Sequence, residues 1–107
     1  MNVPSTEIDS IPAGAVVLDV RENDEWAAGH IDGAVHLPMG EVPDRLAELP
    51  TDQPVAVLCR AGGRSARVTG YLVQAGIDAR NINGGMQAWE AAGRPMVSEN
   101  GGPPTVI

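Results

Sequence analysis

The fold is decided by one stretch of the sequence, Val55-Ala56-Val57-Leu58-Cys59-Arg60-Ala61-Gly62-Gly63-Arg64-Ser65, which holds the only cysteine of the chain. Its first four residues form a short continuous apolar run, which is typical of a β-strand covered on both faces. The two glycines favour a turn, and the residues from Ser65 onward place apolar side chains at helical spacing. The stretch therefore predicts a strand, a loop and a helix start, with a thiol at the carboxyl end of the strand.

The loop that follows this strand suits the capture of a small anion. N–H groups in the first turn of a helix lack partners, and the helix dipole adds partial positive charge there. Gly62 and Gly63 allow the backbone to curl so that more N–H groups face inward. Because a thiol loses its proton more readily at a helix N-terminus and near arginines, we expect Cys59 to be a reactive thiolate.

Positive charge is concentrated around this loop although the protein is acidic. The 107 residues carry 14 acidic and 7 basic side chains, for a net charge of -7, and every basic residue is an arginine. Arg60, Arg64 and Arg67 all follow Cys59 within one short segment. This pattern favours a small anionic ligand over nucleic acid or a membrane surface, which need a broad basic face. The absence of lysine excludes a Schiff-base mechanism and a Walker-type phosphate loop.

Length and composition predict one domain that acts in the cytoplasm. A chain of 107 residues has room for one hydrophobic core, and its 43% hydrophobic content includes no apolar run of membrane-spanning length. The first ten residues lack the basic start and apolar stretch of a signal peptide. One cysteine and two separated histidines predict neither a disulfide nor a metal site. We expect a cytoplasmic monomer without a cofactor.

Apolar periodicity and breaker residues predict strands that alternate with helices. The predicted strands cover residues 15–20, 34–37, 55–58 and 79–82, and the predicted helices cover residues 23–28, 40–49, 65–75 and 86–92. This alternation is typical of an α/β domain with a parallel sheet, in which ligands bind at the carboxyl ends of the strands. We predict one domain over residues 1–97, followed by a C-terminal tail rich in glycine and proline over residues 98–107. Within this tail, we expect residues 98–104 to be loosely held extended chain.

Four motifs along the chain resemble those of the rhodanese sulfurtransferases. The loop from Cys59 to Ser65 resembles the active-site loop of that family. The other three motifs are Leu18-Asp19-Val20-Arg21-Glu22, then Glu25-Trp26 with Gly29-His30-Ile31, Gly33-Ala34 and His36-Leu37-Pro38, and finally Asn83-Gly84-Gly85-Met86 with Trp89 and Gly93. They span about residues 16–95 in the order and at the spacings of the family. The resemblance implies a three-layer α/β/α domain with a five-stranded parallel sheet, whose fifth strand comes from the segment before Ser10.

The resemblance also implies a sulfurtransferase reaction at this loop. A rhodanese thiolate takes the outer sulfur of thiosulfate or of a persulfide donor, holds it as a persulfide and passes it to cyanide or to a thiol. Cys59 would be the catalytic nucleophile. The implied substrate-binding residues are those that follow it, namely Arg60, Ala61, Gly62, Gly63, Arg64 and Ser65. Their N–H groups would cradle the persulfide, and the two arginines would hold the sulfonate of thiosulfate. Ser65 would cap the next helix and bond the sulfur.

Three other functions stay open at this point. One is a sulfur-relay carrier that receives its sulfur from one protein and delivers it to another. A second is a non-catalytic interaction module of the same family, which the retained Cys59 and arginines disfavour. The third is a cysteine-based phosphatase or arsenate reductase, whose loop has the spacing C-x5-R, whereas Cys59 and Arg64 have the spacing C-x4-R. We prefer sulfur transfer because the shorter loop suits one terminal sulfur better than a phosphoryl group.

Three further polar residues have both a functional and a structural interpretation. Asp19 and Arg21 follow a predicted strand beside the expected crevice, and we interpret Arg21 as the partner of Asp19 or of Glu25 in a structural ion pair. His30 follows the glycine that ends a predicted helix. We interpret it as a residue that holds the fold, because a thiol of low pKa needs no imidazole base for persulfide chemistry.

Overall fold

A parallel sheet places the strand that leads to Cys59 at its centre. The computed structural model describes residues 2–107. Its strands are β1 (Ser5–Thr6), β2 (Val16–Asp19), β3 (Val35–His36), β4 (Val55–Leu58) and β5 (Ala79–Ile82), in the spatial order β1-β5-β4-β2-β3. Every residue of β4 is buried, as expected for an apolar strand covered on both faces. The predicted fifth strand from the segment before Ser10 is confirmed as β1.

Three α-helices and three 3₁₀ helices connect these strands. The α-helices are α1 (Asn23–Ala28), α2 (Gly63–Gln74) and α3 (Gly85–Ala91), and the 3₁₀ helices cover Ile8–Ser10, Met39–Glu41 and Pro43–Glu48. α1 has the bounds that the sequence predicts, whereas α2 begins two residues earlier and α3 one residue earlier.

The single helix predicted over residues 40–49 is wrong. Two 3₁₀ helices occupy that segment, and the backbone of Arg45 is non-helical, with φ -115 and ψ 18. Pro43 has no N–H group to donate to the carbonyl of Met39 four residues earlier, so a regular α-helix cannot pass through it. Leu46 and Leu49 nevertheless both pack against the core on the α2 side of the sheet, so the apolar side chains of this segment face inward as they would in a helix.

The sheet separates two hydrophobic clusters, which confirms the predicted three-layer α/β/α architecture. On one face lie α2 and the two consecutive 3₁₀ helices of residues 39–48, which we call the 3₁₀ segment. They cover the cluster that includes Leu18, Val57, Cys59, Val68 and Leu72. On the other face, α3, the first 3₁₀ helix and the C-terminal segment cover the cluster that includes Ala56, Leu58, Ile82, Met86 and Val106. Alternate residues of β4 therefore serve opposite layers, as the period of two in a strand requires.

The chain after residue 97 is hydrogen-bonded to the domain near its two ends. The Glu99 N–H donates to the carbonyl oxygen of Ala27 at 2.9 Å. The Thr105 N–H donates to the carbonyl oxygen of Ala28 at 3.0 Å, and the Val106 N–H donates to Glu90 Oε2 at 3.1 Å. A Cβ atom at Gly29 would meet the backbone of Thr105, so this close approach requires a glycine. Val106 is partly buried against the hydrophobic cluster that includes Met86, whereas residues 99–104 are exposed. The loose hold predicted for residues 98–104 stays a prediction. The domain boundary at residue 97 stays a prediction.

A buried ion pair joins the end of β2 to the end of α1. Arg21 Nη2 lies 2.8 Å from Asp19 Oδ2, Arg21 Nε lies 2.9 Å from Asp19 Oδ1, and both side chains are buried. Arg21 Nη2 also donates to the carbonyl oxygen of Gly29 at 2.8 Å. Of the two partners that the sequence left open for Arg21, the structure therefore selects Asp19.

We expect Asp19→Ala to destabilise the protein strongly because it leaves the Arg21 guanidinium buried without a counter-charge. Removal of one partner of a buried pair costs about 3–5 kcal/mol, whereas replacement of both by apolar residues is often close to neutral. Urea unfolding at pH 7 should show a large loss for Asp19→Ala and a partial recovery in the double variant Asp19→Ala/Arg21→Met. A double variant less stable than Asp19→Ala alone would contradict this account of the pair.

Candidate active site

The thiol of Cys59 lies at the carboxyl end of β4 and is almost completely buried. The Gly62 N–H donates to Cys59 Sγ at 3.1 Å, and Ser65 Oγ lies 3.3 Å from the same sulfur. Cys59 itself is 1% exposed. The loop therefore closes around the sulfur, and only a small part of the residue is accessible from outside.

The sulfur occupies the place that a capping side chain takes at other helix starts. α2 begins at Gly63, its N-cap is Gly62, and no side chain caps it. The prediction that Ser65 caps the helix is therefore wrong, because Ser65 lies inside the first turn and its hydroxyl faces the sulfur. Gly62 has φ 121, which favours glycine, whereas a Cβ atom at Gly63 would meet nothing. Of the two loop glycines, only Gly62 is required by the backbone.

The surroundings of Cys59 favour its thiolate. Burial raises the pKa of the thiol, but hydrogen bonds from the Ser65 hydroxyl and from the N–H groups of Ser65, Gly62 and Ala61 lower it, and the resulting pKa is below the usual value. These donors are fixed by the loop and by the first turn of α2, so little reorganisation accompanies deprotonation. The prediction of a reactive thiolate has this physical basis.

The outer side of the loop is held by the start of α3. The Met86 N–H donates to the carbonyl oxygen of Cys59 at 2.9 Å, and the Gln87 N–H donates to that of Arg60 at 2.9 Å. A Cβ atom at Gly85 would clash with the Cys59 carbonyl, and Gly85 has φ 51. Gly85 is therefore needed for the close approach of this helix to the loop.

Asn81 in β5 is a site residue that sequence reasoning missed. Its Oδ1 lies 2.5 Å from Ser65 Oγ, and its Nδ2 donates to the carbonyl oxygen of Gly62 at 3.4 Å. Asn81 is 6% exposed and pairs in register with Val57. A polar side chain inside a short buried strand beside β4 was the signal that could have identified it, because buried polar groups need partners.

Glu25 is the second missed residue, and it binds Arg64. The Arg64 guanidinium donates to both carboxylate oxygens of Glu25, at 2.8 and 2.9 Å. The hydrogen bond from Arg64 lowers the pKa of Glu25 to about 2, against burial, which raises it. Sequence reasoning placed Glu25 in a motif that resembles the rhodanese family and considered Arg21, not Arg64, as its partner. The pairing with Arg64 spans 39 positions, and no local pattern announces it.

Arg60 points to the C-terminal segment. Its Nε donates to the carbonyl oxygen of Ile107 at 3.0 Å. The basic residues on either side of the loop therefore have different partners, a carboxylate for Arg64 and a backbone carbonyl for Arg60. All seven loop residues that the sequence predicted as site residues, from Cys59 to Ser65, lie together in the structure. Because Arg60 and Arg64 both have partners, less unpaired positive charge surrounds the loop than the sequence predicted.

Both histidines take part in a stack of rings. The Trp26 ring lies 3.6 Å from the His30 ring and 4.6 Å from the His36 ring, and all three are nearly parallel. His30 Nδ1 lies 2.8 Å from the carbonyl oxygen of Trp26, and His36 Nε2 lies 2.8 Å from that of Arg21. These contacts support the interpretation of His30 as a residue that holds the fold.

Within residues 2–107, no group of three or more histidine, cysteine, aspartate or glutamate side chains is arranged to hold a metal ion. In the same part of the chain, none of the helices is both long and apolar enough to span a membrane.

The family model for the rhodanese-like domain matches residues 7–92. The chain belongs to the rhodanese-like family. It is 39% identical over 87 residues to a sulfurtransferase of Allochromatium vinosum, with 80% of this chain and 81% of that protein covered. It is 40% identical over 79 residues to the thiosulfate sulfurtransferase GlpE of Pseudomonas putida, with 73% of this chain and 72% of that protein covered. The named sulfurtransferase relatives and the rhodanese-like domain together show that the chain is an enzyme of the sulfurtransferase type.

Solved structures agree with the fold. The chain resembles a rhodanese-related protein from Thermoplasma volcanium with a TM-score of 0.82 and 32% sequence identity, over 88% of this chain and 97% of that one. A thiosulfate sulfurtransferase from Pseudomonas aeruginosa matches with a TM-score of 0.80 and 30% identity, over 92% of this chain and 21% of that one. The rhodanese resemblance of the sequence motifs is thus confirmed for family and fold.

We expect Ser65→Ala to raise the pKa of the Cys59 thiol because it removes the hydroxyl that contacts the sulfur. The measurement is the rate of iodoacetamide alkylation of Cys59 against pH, whose midpoint should move upward from that of the natural protein. Thr69→Val is the matched control, since the Thr69 hydroxyl is buried in the same helix but donates to the carbonyl oxygen of Ser65 at 2.7 Å. Equal midpoints in Ser65→Ala and the natural protein would contradict the role of the hydroxyl.

The Glu25–Arg64 pair should make stability depend on acid pH. Because the pKa of folded Glu25 is about 2 and its ordinary value is 4.5, the pair stabilises the protein above pH 4.5 and loses this effect as pH falls towards 2. Urea midpoints measured at pH 7, 4.5 and 3 should converge between the natural protein and Glu25→Gln. Glu99→Gln, at an exposed position, is the control and should keep the pH dependence of the natural protein. A constant difference between the natural protein and Glu25→Gln across the three pH values would refute this assignment.

Proposed function

We propose that the protein transfers sulfane sulfur through a persulfide on Cys59, with thiosulfate or a small persulfide as donor and cyanide or a thiol as acceptor. The observation that carries this proposal is the buried sulfur that receives hydrogen bonds from Gly62 and Ser65. A ring of fixed donors stabilises negative charge on one sulfur atom, and the same donors suit the anion of a persulfide. The named sulfurtransferase relatives support the reaction class.

In the first step, the Cys59 thiolate attacks the outer sulfur of thiosulfate. A bond forms between the two sulfurs, the S–S bond of thiosulfate breaks, and sulfite leaves with the electron pair. In the second step, cyanide or an acceptor thiolate attacks the outer sulfur of the persulfide. Thiocyanate or a new persulfide forms, and the Cys59 thiolate is released into the same ring of donors. Neither step needs an oxidant, a metal or a cofactor.

The loop residues have separate proposed roles in these steps. The N–H groups of Ala61, Gly62 and Ser65, which lower the pKa of Cys59, stabilise each anion that forms on the bound sulfur. Gly63, the exposed first residue of α2, has no side chain that could block access to the loop. Arg60 uses only its Nε on Ile107, and its terminal amino groups hold the sulfonate of thiosulfate. Arg64 acts through its charge, which lies close enough to interact with that of Cys59.

A sulfur-relay carrier between proteins is the second candidate. Ala61 and Gly63 are exposed and have minimal side chains, so a flexible segment of a partner protein can approach the loop. A phosphatase is less favoured, because the Gly62 N–H and the Ser65 hydroxyl already contact the sulfur and leave no wider ring for a phosphoryl group. We further propose that the enzyme acts as a cytoplasmic monomer, which fits a single thiol that needs reducing conditions.

The proposed intermediate is tested by the intact mass of the protein after incubation with thiosulfate. The natural protein should gain the mass of one sulfur and lose it when cyanide is added, with formation of thiocyanate. Cys59→Ser should gain no mass and form no thiocyanate, because the chain has no second cysteine. Far-UV circular dichroism of Cys59→Ser checks that the fold survives.

The same preparations distinguish the alternatives. Turnover of p-nitrophenyl phosphate by the natural protein, lost in Cys59→Ser, would support the phosphatase and overturn the sulfurtransferase assignment. Thiocyanate formation by Cys59→Ser at the natural rate would exclude the covalent mechanism. A persulfide that forms from thiosulfate but is inert towards cyanide and small thiols would favour the relay carrier.

A further inference from the structure

Arg67 differs from every other arginine in the part of the chain that the structure describes. The other six arginines contact a carboxylate or a backbone carbonyl, namely Arg21 with Asp19, Arg45 with Glu41 and Glu48, Arg60 with Ile107, Arg64 with Glu25, Arg80 with Asp78, and Arg94 with Ile8. Arg67 is exposed and has no hydrogen-bond or ion-pair partner within residues 2–107. The protein has a net charge of -7, yet this guanidinium contacts neither a carboxylate nor a backbone carbonyl within residues 2–107.

Arg67 borders a cavity of about 230 Å³ between α2 and the 3₁₀ segment. The walls are formed by Met39, Val42, Pro43, Arg67, Val68 and Tyr71. Its only side chains that can hydrogen-bond are the Arg67 guanidinium and the Tyr71 hydroxyl, and no carboxylate lines it. Glu41, the acidic residue of the neighbouring 3₁₀ helix, is already paired with Arg45 at 2.9 Å. The cavity therefore combines apolar walls with one free positive charge.

The cavity lies just over one turn of α2 beyond the loop that holds the sulfur, and no residue of that loop lines it. Arg67 lies four residues after Gly63, which is a distance of about 6 Å along the axis of α2. At a spacing of three residues, Arg64 and Arg67 lie on the same side of that helix. Val68 belongs both to the cavity wall and to the hydrophobic cluster that contains Cys59. A ligand that reaches the sulfur from this side passes along α2.

We propose that this cavity binds the acceptor, a small thiol whose apolar chain ends in a carboxylate. The carboxylate pairs with Arg67, the chain lies against Val42 and Val68, and the thiol end reaches the Cys59 persulfide. The acceptor thiolate then bonds to the outer sulfur, the S–S bond of the persulfide breaks, and the Cys59 thiolate leaves with the electron pair. This inference rests on the proposed persulfide function and adds to it a class of acceptor.

The test follows the discharge of a preformed Cys59 persulfide by two thiols of equal chain length. The protein is loaded with thiosulfate, freed of excess donor, and mixed with 6-mercaptohexanoate or with 6-mercaptohexan-1-ol. Loss of one sulfur from the intact mass gives a second-order rate constant for each thiol. We expect Arg67→Gln to lower the constant for the carboxylate thiol by about fivefold, the scale of an exposed ion pair, and to leave that for the neutral thiol unchanged. Mercaptoacetate, too short to reach both groups, should be insensitive to Arg67→Gln.

Arg80→Gln is the matched control, because Arg80 lies on β5 and is paired with Asp78 at 2.9 Å. It should not change the ratio of the two rate constants, whereas Arg67→Glu should reduce that ratio further than Arg67→Gln. An unchanged ratio in Arg67→Gln, or an equal slowing of both thiols, would overturn the acceptor site. Failure of thiosulfate to load Cys59 would overturn the proposed function, and the acceptor site with it. The loading step and the discharge step thus fail separately.

Discussion

The loop around Cys59 turns its N–H groups towards one sulfur, and the rest of the site depends on this constraint. Because the backbone N–H groups of the loop point towards the sulfur, its carbonyl oxygens point away from the sulfur and need other hydrogen-bond donors. The Met86 and Gln87 N–H groups supply two of these partners, for Cys59 and Arg60. The Gly62 carbonyl accepts from Asn81 Nδ2. The N–H groups at the start of α3, which have no partner within that helix, thus bind carbonyl oxygens of the loop that precedes α2.

The order of the strands follows from the same requirement. β4 lies between β2 and β5, so residues from both neighbouring strands and from the helices after them can contact the loop at its carboxyl end. The Asp19–Arg21 ion pair after β2 holds α1 on one side, and β5 leads into α3 on the other. This arrangement places Asn81 beside Ser65 and places Glu25 opposite Arg64. Two elements that are distant in the sequence therefore fix the sulfur site from opposite sides, and a defect in either one should alter the thiol as well as the fold.

The sequence was sufficient to predict features that depend on local chemistry. The apolar run of β4, the bounds of α1 and the need for Gly62 all follow from the properties of a few consecutive residues. Features that depend on partners far along the chain could not be predicted. The Glu25–Arg64 pair has no periodic signal, and no local pattern predicts that Arg60 donates to the carbonyl oxygen of Ile107. Over residues 40–49 the sequence predicted a helical segment, but the missing N–H of Pro43 gives two 3₁₀ helices in place of one α-helix.

Three arginines that look equivalent in the sequence have three different electrostatic roles. Arg64 is neutralised by Glu25, Arg60 is bound to a backbone carbonyl, and Arg67 alone has no partner within residues 2–107. The field at the Cys59 sulfur therefore comes mainly from fixed N–H dipoles and the Ser65 hydroxyl, not from free cations. Dipoles that are held in place stabilise an anion that forms on the sulfur but attract solution anions only over a short range. Such a site suits the cycle proposed for Cys59, in which the thiolate and the anion of the persulfide would use the same donors.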